Sequence, residues 1–211
     1  MTTALTKAFG IGLAALLLTA GAAAQLQSAT VEYSADTSLE HAEGAMKGKV
    51  YSAPGKERRE MKAGAETVVS IMRTDKKITW MLMPEQKMYM EMKQNAAAPG
   101  KDDLSAYKIE QTVVGKETMN GVETTKSKII MTGQDGSKMG GFMWMSKDNI
   151  MVKMDAVAID KGSKNRFKSE LTNIKIGKQD PALFEIPPGY QKMSMPGMDM
   201  GNMGNMKDMR K

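Results

Sequence analysis

The sequence predicts an antiparallel, β-dominated domain in which helix is a minor component. Two observations carry this. Turn signals recur at nearly regular spacing, at Pro54-Gly55, Ala63-Gly64, Thr74-Asp75, Pro84-Glu85, Asn120-Gly121, Asp135-Gly136, Asp148-Asn149 and Gly162-Ser163. Short extended runs lie between them, the pattern of hairpin-connected strands. The length of 211 residues, with 41% hydrophobic and 26% charged residues, suits one globular domain after any leader is removed.

The leader comes first. Lys7 is a positive n-region, residues 11–18 are an apolar h-region, and Ala22-Ala23-Ala24 before Gln25 is a small-residue cleavage site. Residues 1–24 therefore read as a secretory signal peptide cleaved after Ala24, which predicts a periplasmic or secreted protein. The apolar run is well short of the roughly 20 residues that a membrane anchor needs. No cysteine follows it to carry a lipid.

Residues 25–193 form the expected domain. Residues 39–47 have some helical composition. Residues 66–73 and 77–83 form a hairpin, as do 77–83 with 86–92 and 141–147 with 149–155. Asn120-Gly121 is the strongest turn signal, because both residues accept the positive φ of a type I′ turn between strands at 111–119 and 122–131. Residues 102–108 could form a short helical turn after the segment 95–100. Asp180 before Pro181 is an N-cap and first-turn pair, so Ala182, Leu183 and Phe184 are expected to form one helical turn that plugs the end of the sheet. Neighbouring strands are expected to pair in sequence order.

Several strands carry apolar side chains on both faces. Ile78, Trp80 and Leu82 alternate with Met81 and Met83; Phe142 and Trp144 alternate with Met143 and Met145; Met88, Met90 and Met92 alternate with Lys87, Tyr89 and Glu91. A sheet with one solvated face should not do this. Either methionine fills gaps in a covered core short of Phe, or a curved sheet encloses a cavity whose adaptable thioethers accept a flexible apolar ligand. A methionine-faced partner surface and a sulfur metal site within the sheet are further alternatives. The candidate ligand-binding set is Trp80, Met81, Leu82, Met83, Met88, Met90, Met92, Phe142, Met143, Trp144 and Met145.

The run from Gly48 to Arg59, with Pro54-Gly55-Lys56, and the later Thr74-Asp75-Lys76-Lys77-Ile78-Thr79-Trp80 leading to Pro84, resemble the periplasmic lipoprotein-carrier superfamily (LolA/LolB-like). The methionines at 88, 90 and 92 and the ending Asp180-Pro181-Ala182-Leu183-Phe184 look closest to an exported bacterial family of unknown function in that group. The resemblance covers roughly residues 29–193. It implies a mainly β (α+β) fold, a strongly curved antiparallel sheet forming an open half-barrel, with a few short helices over an apolar cavity. Carriers of that superfamily shuttle acylated lipoproteins or other lipids, so an apolar ligand or acyl chain is the implied cargo.

Residues 194–211 show neither strand nor helix periodicity and are read as a flexible Met-rich tail. Met193, Met195, Met198, Met200, Met203, Met206 and Met209 stand one or two residues apart. Thioethers are soft, neutral ligands that select Cu(I) or Ag(I), so these seven are the candidate metal ligands; compositional drift, a membrane contact or a sink for oxidants would give the same composition. No other cofactor is expected. His41, near Glu40 and Glu43, is a surface residue or one harder ligand.

The remaining composition excludes much. With no cysteine and one histidine among 211 residues, thiolate zinc, iron–sulfur, disulfide and histidine-rich metal sites are absent. No nucleophile elbow, phosphate loop or paired histidine base is present, so no enzyme is expected. The net charge of +6 is spread along the chain rather than interleaved with aromatics; nucleic acid is not the expected partner, an anionic membrane surface fits better, and a lysine-rich solvated surface with no partner gives the same composition. A monomer is expected.

Overall fold

The computed structural model describes residues 28–41, 44–64, 66–93, 108–133, 136–160 and 163–193. The expected signal peptide and the tail from 194 onward lie outside these residues, as does the helical turn expected at 102–108 except for Lys108, which opens a strand instead.

Twelve strands build one sheet: β1 (Tyr33–His41), β2 (Gly44–Ala53), β3 (Lys56–Ala63), β4 (Glu66–Arg73), β5 (Ile78–Met83), β6 (Met88–Lys93), β7 (Lys108–Met119), β8 (Val122–Thr132), β9 (Lys138–Ser146), β10 (Met151–Asp160), β11 (Ser163–Ile176) and β12 (Gln191–Lys192). Their spatial order is β12-β6-β5-β4-β3-β2-β1-β11-β10-β9-β8-β7. Two runs of sequential hairpins are thus joined through antiparallel β1 and β11, while β12 adds to β6 in parallel. The sheet is open, with β12 and β7 at its edges.

Turn chemistry sets the hairpins. Asn120 and Gly121 have φ of 52° and 79°, both in the left-handed region, as a tight β7–β8 turn requires. The short helices expected from the resemblance reduce, among the described residues, to one 3-10 turn at Pro181–Phe184. Asp180 caps it as its composition predicts, its carboxylate accepting from the Ala182 amide at 2.9 Å. The helical composition at 39–47 is a correction: Leu39 to His41 end β1 and Gly44 opens β2. Leu39 lies opposite Met46 on β2 and Ser169 on β11. Cross-strand pairing on both sides therefore overrides a weak helix propensity.

Antiparallel register assigns every strand residue to one of two faces. On the first face lie Tyr33, Ala35, Val50, Val152 and Leu171, and further along Ile109, Ile129, Met131, Met143, Met154 and Ala156. These form two buried clusters. The sheet bends around them. The tip of the β7–β8 hairpin reaches β11, where Asn120 Nδ2 donates to the Leu171 carbonyl at 2.8 Å, and Met119 and Val122 pack against the cluster of Tyr33 and Leu171. At Gly141 a Cβ would stand 2.1 Å from the Asp155 carbonyl oxygen, so the close approach of β10 there requires glycine.

On the second face Val69, Ile71, Trp80 and Leu82 form a third cluster, covered by Phe184. The segment after β11 crosses this face as a strap that ends in β12 beside β6. Arg73, buried, fastens it. Its guanidinium donates to both oxygens of Asp75 at 2.8 and 2.7 Å, to the Phe184 carbonyl at 3.1 Å and to the Glu185 carboxylate. Arg58 adds a hydrogen bond to the Leu183 carbonyl at 3.3 Å.

Candidate functional site

Strands β2 to β6 place their methionines on the first face. Met81 lies directly opposite Met90, Met83 opposite Met88, and Thr79 opposite both Met72 and Met92. Met61 lies opposite Val68 and Gly48. The four-residue turn at 84–87 fixes the β5–β6 register, with Lys87 at φ 50° and its amide on the Pro84 carbonyl at 3.2 Å. Directly opposite side chains stand about 5 Å apart at Cβ, so Met81, Met83, Met88 and Met90 make a two-by-two block of thioethers with Met92 beside it. These five are half-buried and Met72 is exposed. An ion pair, Arg59 Nε to Glu57 Oε1 at 2.6 Å, borders the apolar area on β3.

The structure divides the eleven candidate ligand residues into three groups. Met81, Met83, Met88, Met90 and Met92 share the half-buried face. Met143 and Met145 are on the same face of the sheet but belong to the packed cluster of β8–β10, with Met143 only 1% exposed. Trp80, Leu82, Phe142 and Trp144 are on the opposite face. Alternation along β5 and β9 produces this split. Two concavities, of about 380 and 310 Å³, are lined by Ser34, Asp36, Lys49 and Asn173 and by Thr30, Pro54 and Ile176, and none of the eleven lines either.

Both tryptophans act as anchors. Trp80 Nε1 donates to Glu91 Oε2 at 3.0 Å, and Trp144 Nε1 to Glu117 Oε2 at 2.8 Å. Lys192 and the Trp80 indole hold the Glu91 carboxyl below its usual range, while Lys126 and the Trp144 indole do the same for Glu117. Lys126 and Lys153 also sit over the Trp144 ring, 5.0 and 5.2 Å from its centroid. On the first face, burial pushes the Tyr33 hydroxyl up to about 12, reinforced by the nearby Glu57 charge.

Of the seven candidate metal ligands only Met193 lies within the described residues. Its amide donates to the Tyr89 carbonyl at 2.8 Å, and strand alternation after Gln191, which pairs with Met88, puts it on the methionine face. Among the described residues no group of three His, Asp or Glu could hold a metal ion. The alternation of each strand was readable, but Met61, Val68 and Met72 were missed as members of the face. Their signal was the β3–β5 hairpin register, which carries Met61 to Val68 and Met72 to Thr79.

A single open antiparallel sheet, strapped on one face and lined with thioethers on the other, defines the class of protein. Residues 35–156 match the family described as domain of unknown function (DUF4412), and the chain belongs to that family. No curated protein matches the sequence. Among solved structures, an uncharacterized conserved protein of Thermus thermophilus is similar in fold, with a TM-score of 0.54 at 14% identity over 78% of this chain and 90% of that one. Looser likenesses are the Pseudomonas aeruginosa MucA/MucB complex (TM-score 0.41, 14% identity, 74% of this chain and 58% of that one) and the Mycobacterium tuberculosis lipoprotein LppX (TM-score 0.39, 12% identity, 70% and 87%).

Proposed function

We propose that this protein is an exported binding protein that receives a flexible apolar ligand, such as an acyl chain, on the methionine face of β4–β6. It binds and does not catalyse, and it works in the periplasm or outside the cell. The observation that carries the reading is the register itself. It gathers Met72, Met81, Met83, Met88, Met90 and Met92 on one accessible face, while the other face of the same strands is covered by the strap.

Unbranched thioether side chains change rotamer at little cost and remake contacts along a moving chain. Each CH₂ removed from water contributes about 0.8 kcal/mol. Six would supply about 5 kcal/mol before the cost of association, which suits reversible rather than permanent capture.

The cross-strand methionine pairs favour a second reading. Met81, Met83, Met88, Met90 and Met193 present soft neutral donors close together, a set suited to Cu(I) or Ag(I). One pair of titrations separates the two. The full chain is titrated with a fluorescent fatty acid and, separately, with Ag(I). Acyl-chain binding predicts saturable probe binding that Met90→Gln weakens several-fold and Met90→Leu preserves. Ag(I) binding abolished by Met90→Leu, with no probe bound, would replace the first reading by the second.

A further inference from the structure

The face opposite the methionines is covered by the strap over β4 and β5, but over β8–β11 it carries a different surface. Register sets three rows across these four strands: Lys128, Phe142, Asp155, Lys168; Ile130, Gly140, Val157, Arg166; and Thr132, Lys138, Ile159, Lys164. Ile130, Phe142, Val157 and Ile159 are 41, 38, 36 and 48% exposed, so four large apolar side chains from three strands form one patch. Gly140 lies between Ile130 and Val157 and keeps its middle low. The one carboxylate in these rows is neutralised, Asp155 accepting from Arg166 at 3.0 and 2.8 Å. Lys128, Lys138 and Lys164 are exposed and form no ion pair among the described residues.

We infer that this patch docks the protein reversibly on an anionic lipid bilayer, the apolar residues entering the interface and the three lysines meeting headgroup charge. Three of its features fit a bilayer. Four strands at about 4.8 Å spacing, with three rows along them, make a patch of roughly 200 Å², below the roughly 500 Å² that each partner of a stable protein interface buries. Its chemistry is complementary to headgroups, because lysine stems lie along apolar surface while the ammonium reaches outward. It takes up the ends of these strands nearest the β8–β9 and β10–β11 connections, towards one rim of the sheet. Several basic residues near a surface, added to shallow apolar insertion, give binding that depends on anionic lipid and on salt.

The test is co-sedimentation of the full chain with vesicles of phosphatidylcholine alone or with phosphatidylglycerol added. Binding is expected only with the anionic lipid and is expected to fall as salt is raised. Lys128→Glu with Lys138→Glu and Lys164→Glu should reduce partitioning at least a hundredfold, since the loss of each lysine near the surface counts for about a fivefold change and the glutamates add repulsion. Phe142→Ser with Ile159→Ser should also release the protein, while Met90→Gln, on the other face, should not. Circular dichroism confirms that the variants fold, and the lipid and salt dependence of the unaltered chain needs no variant. Failure to sediment with anionic vesicles would overturn the inference and leave the patch to an acidic protein partner. Equal binding to both vesicle types would overturn it as well. Either result leaves the methionine-face reading untouched.

Discussion

Gly141 shows how one residue shapes this sheet. On its strand β9 it faces inward, opposite Ala156, and the carbonyl of Asp155 occupies the space that a Cβ would need. Gly141→Ala should destabilise the protein by about 1–3 kcal/mol, as overpacking does elsewhere, read as a lower urea midpoint with an unchanged slope. Two glycines in a row, Gly140-Gly141, do not say in sequence which one is crowded. Gly140, with only one distant contact at 3.8 Å, sits on the exposed patch. Trp80 and Trp144 teach a related lesson. Their strand positions were readable, and the Glu91 partner of Trp80 lies directly opposite it in the β5–β6 hairpin, but the partner of Trp144 was not readable, because Glu117 lies two strands away.

Among the elements, hairpins were the most legible, since Asn120-Gly121 and the turn at 84–87 fix positive φ and register within a few residues. The ending of β1 was misread because residues 39–47 have helical composition, and only pairing among β1, β2 and β11 makes 39–41 and 44–47 extended. The strap was half legible. Asp180-Pro181 announced its turn, but Arg73 and Glu185 are 112 residues apart and the strand beside β6 has two residues. Its latch gives it a pH dependence. The Arg73 hydrogen bonds lower the Asp75 carboxyl from 3.8 to about 2. At Glu185 burial pushes upward, but Arg73 and Lys76 together outweigh it and the net shift is also downward. The folded state thus holds these protons more weakly than the unfolded one, so their contribution is whole above the ordinary carboxylate range and lost as pH falls towards 2. Urea midpoints should agree at pH 6 and 5 and drop between pH 4 and 2. Asp75→Asn should flatten that drop.

Over the whole molecule, one sheet serves two opposite surfaces. In β8–β11 the methionine-bearing face is packed and the outer face carries the basic-rimmed apolar patch. In β4–β6 the outer face is strapped and the methionine face is accessible. Composition shows that the chain has 23 methionines and alternation shows which side those on strands take, but neither distinguishes a packed methionine from an available one, because that depends on how far the sheet bends. The central claim, that the β4–β6 methionines receive an acyl chain, is tested most directly by labelling the methionine methyl groups with ¹³C and adding a spin-labelled fatty acid. The account predicts broadening of Met72, Met81, Met83, Met88, Met90 and Met92, with Met131, Met143 and Met154 unaffected. Broadening confined to the packed cluster or the tail methionines, or none at all, would contradict it.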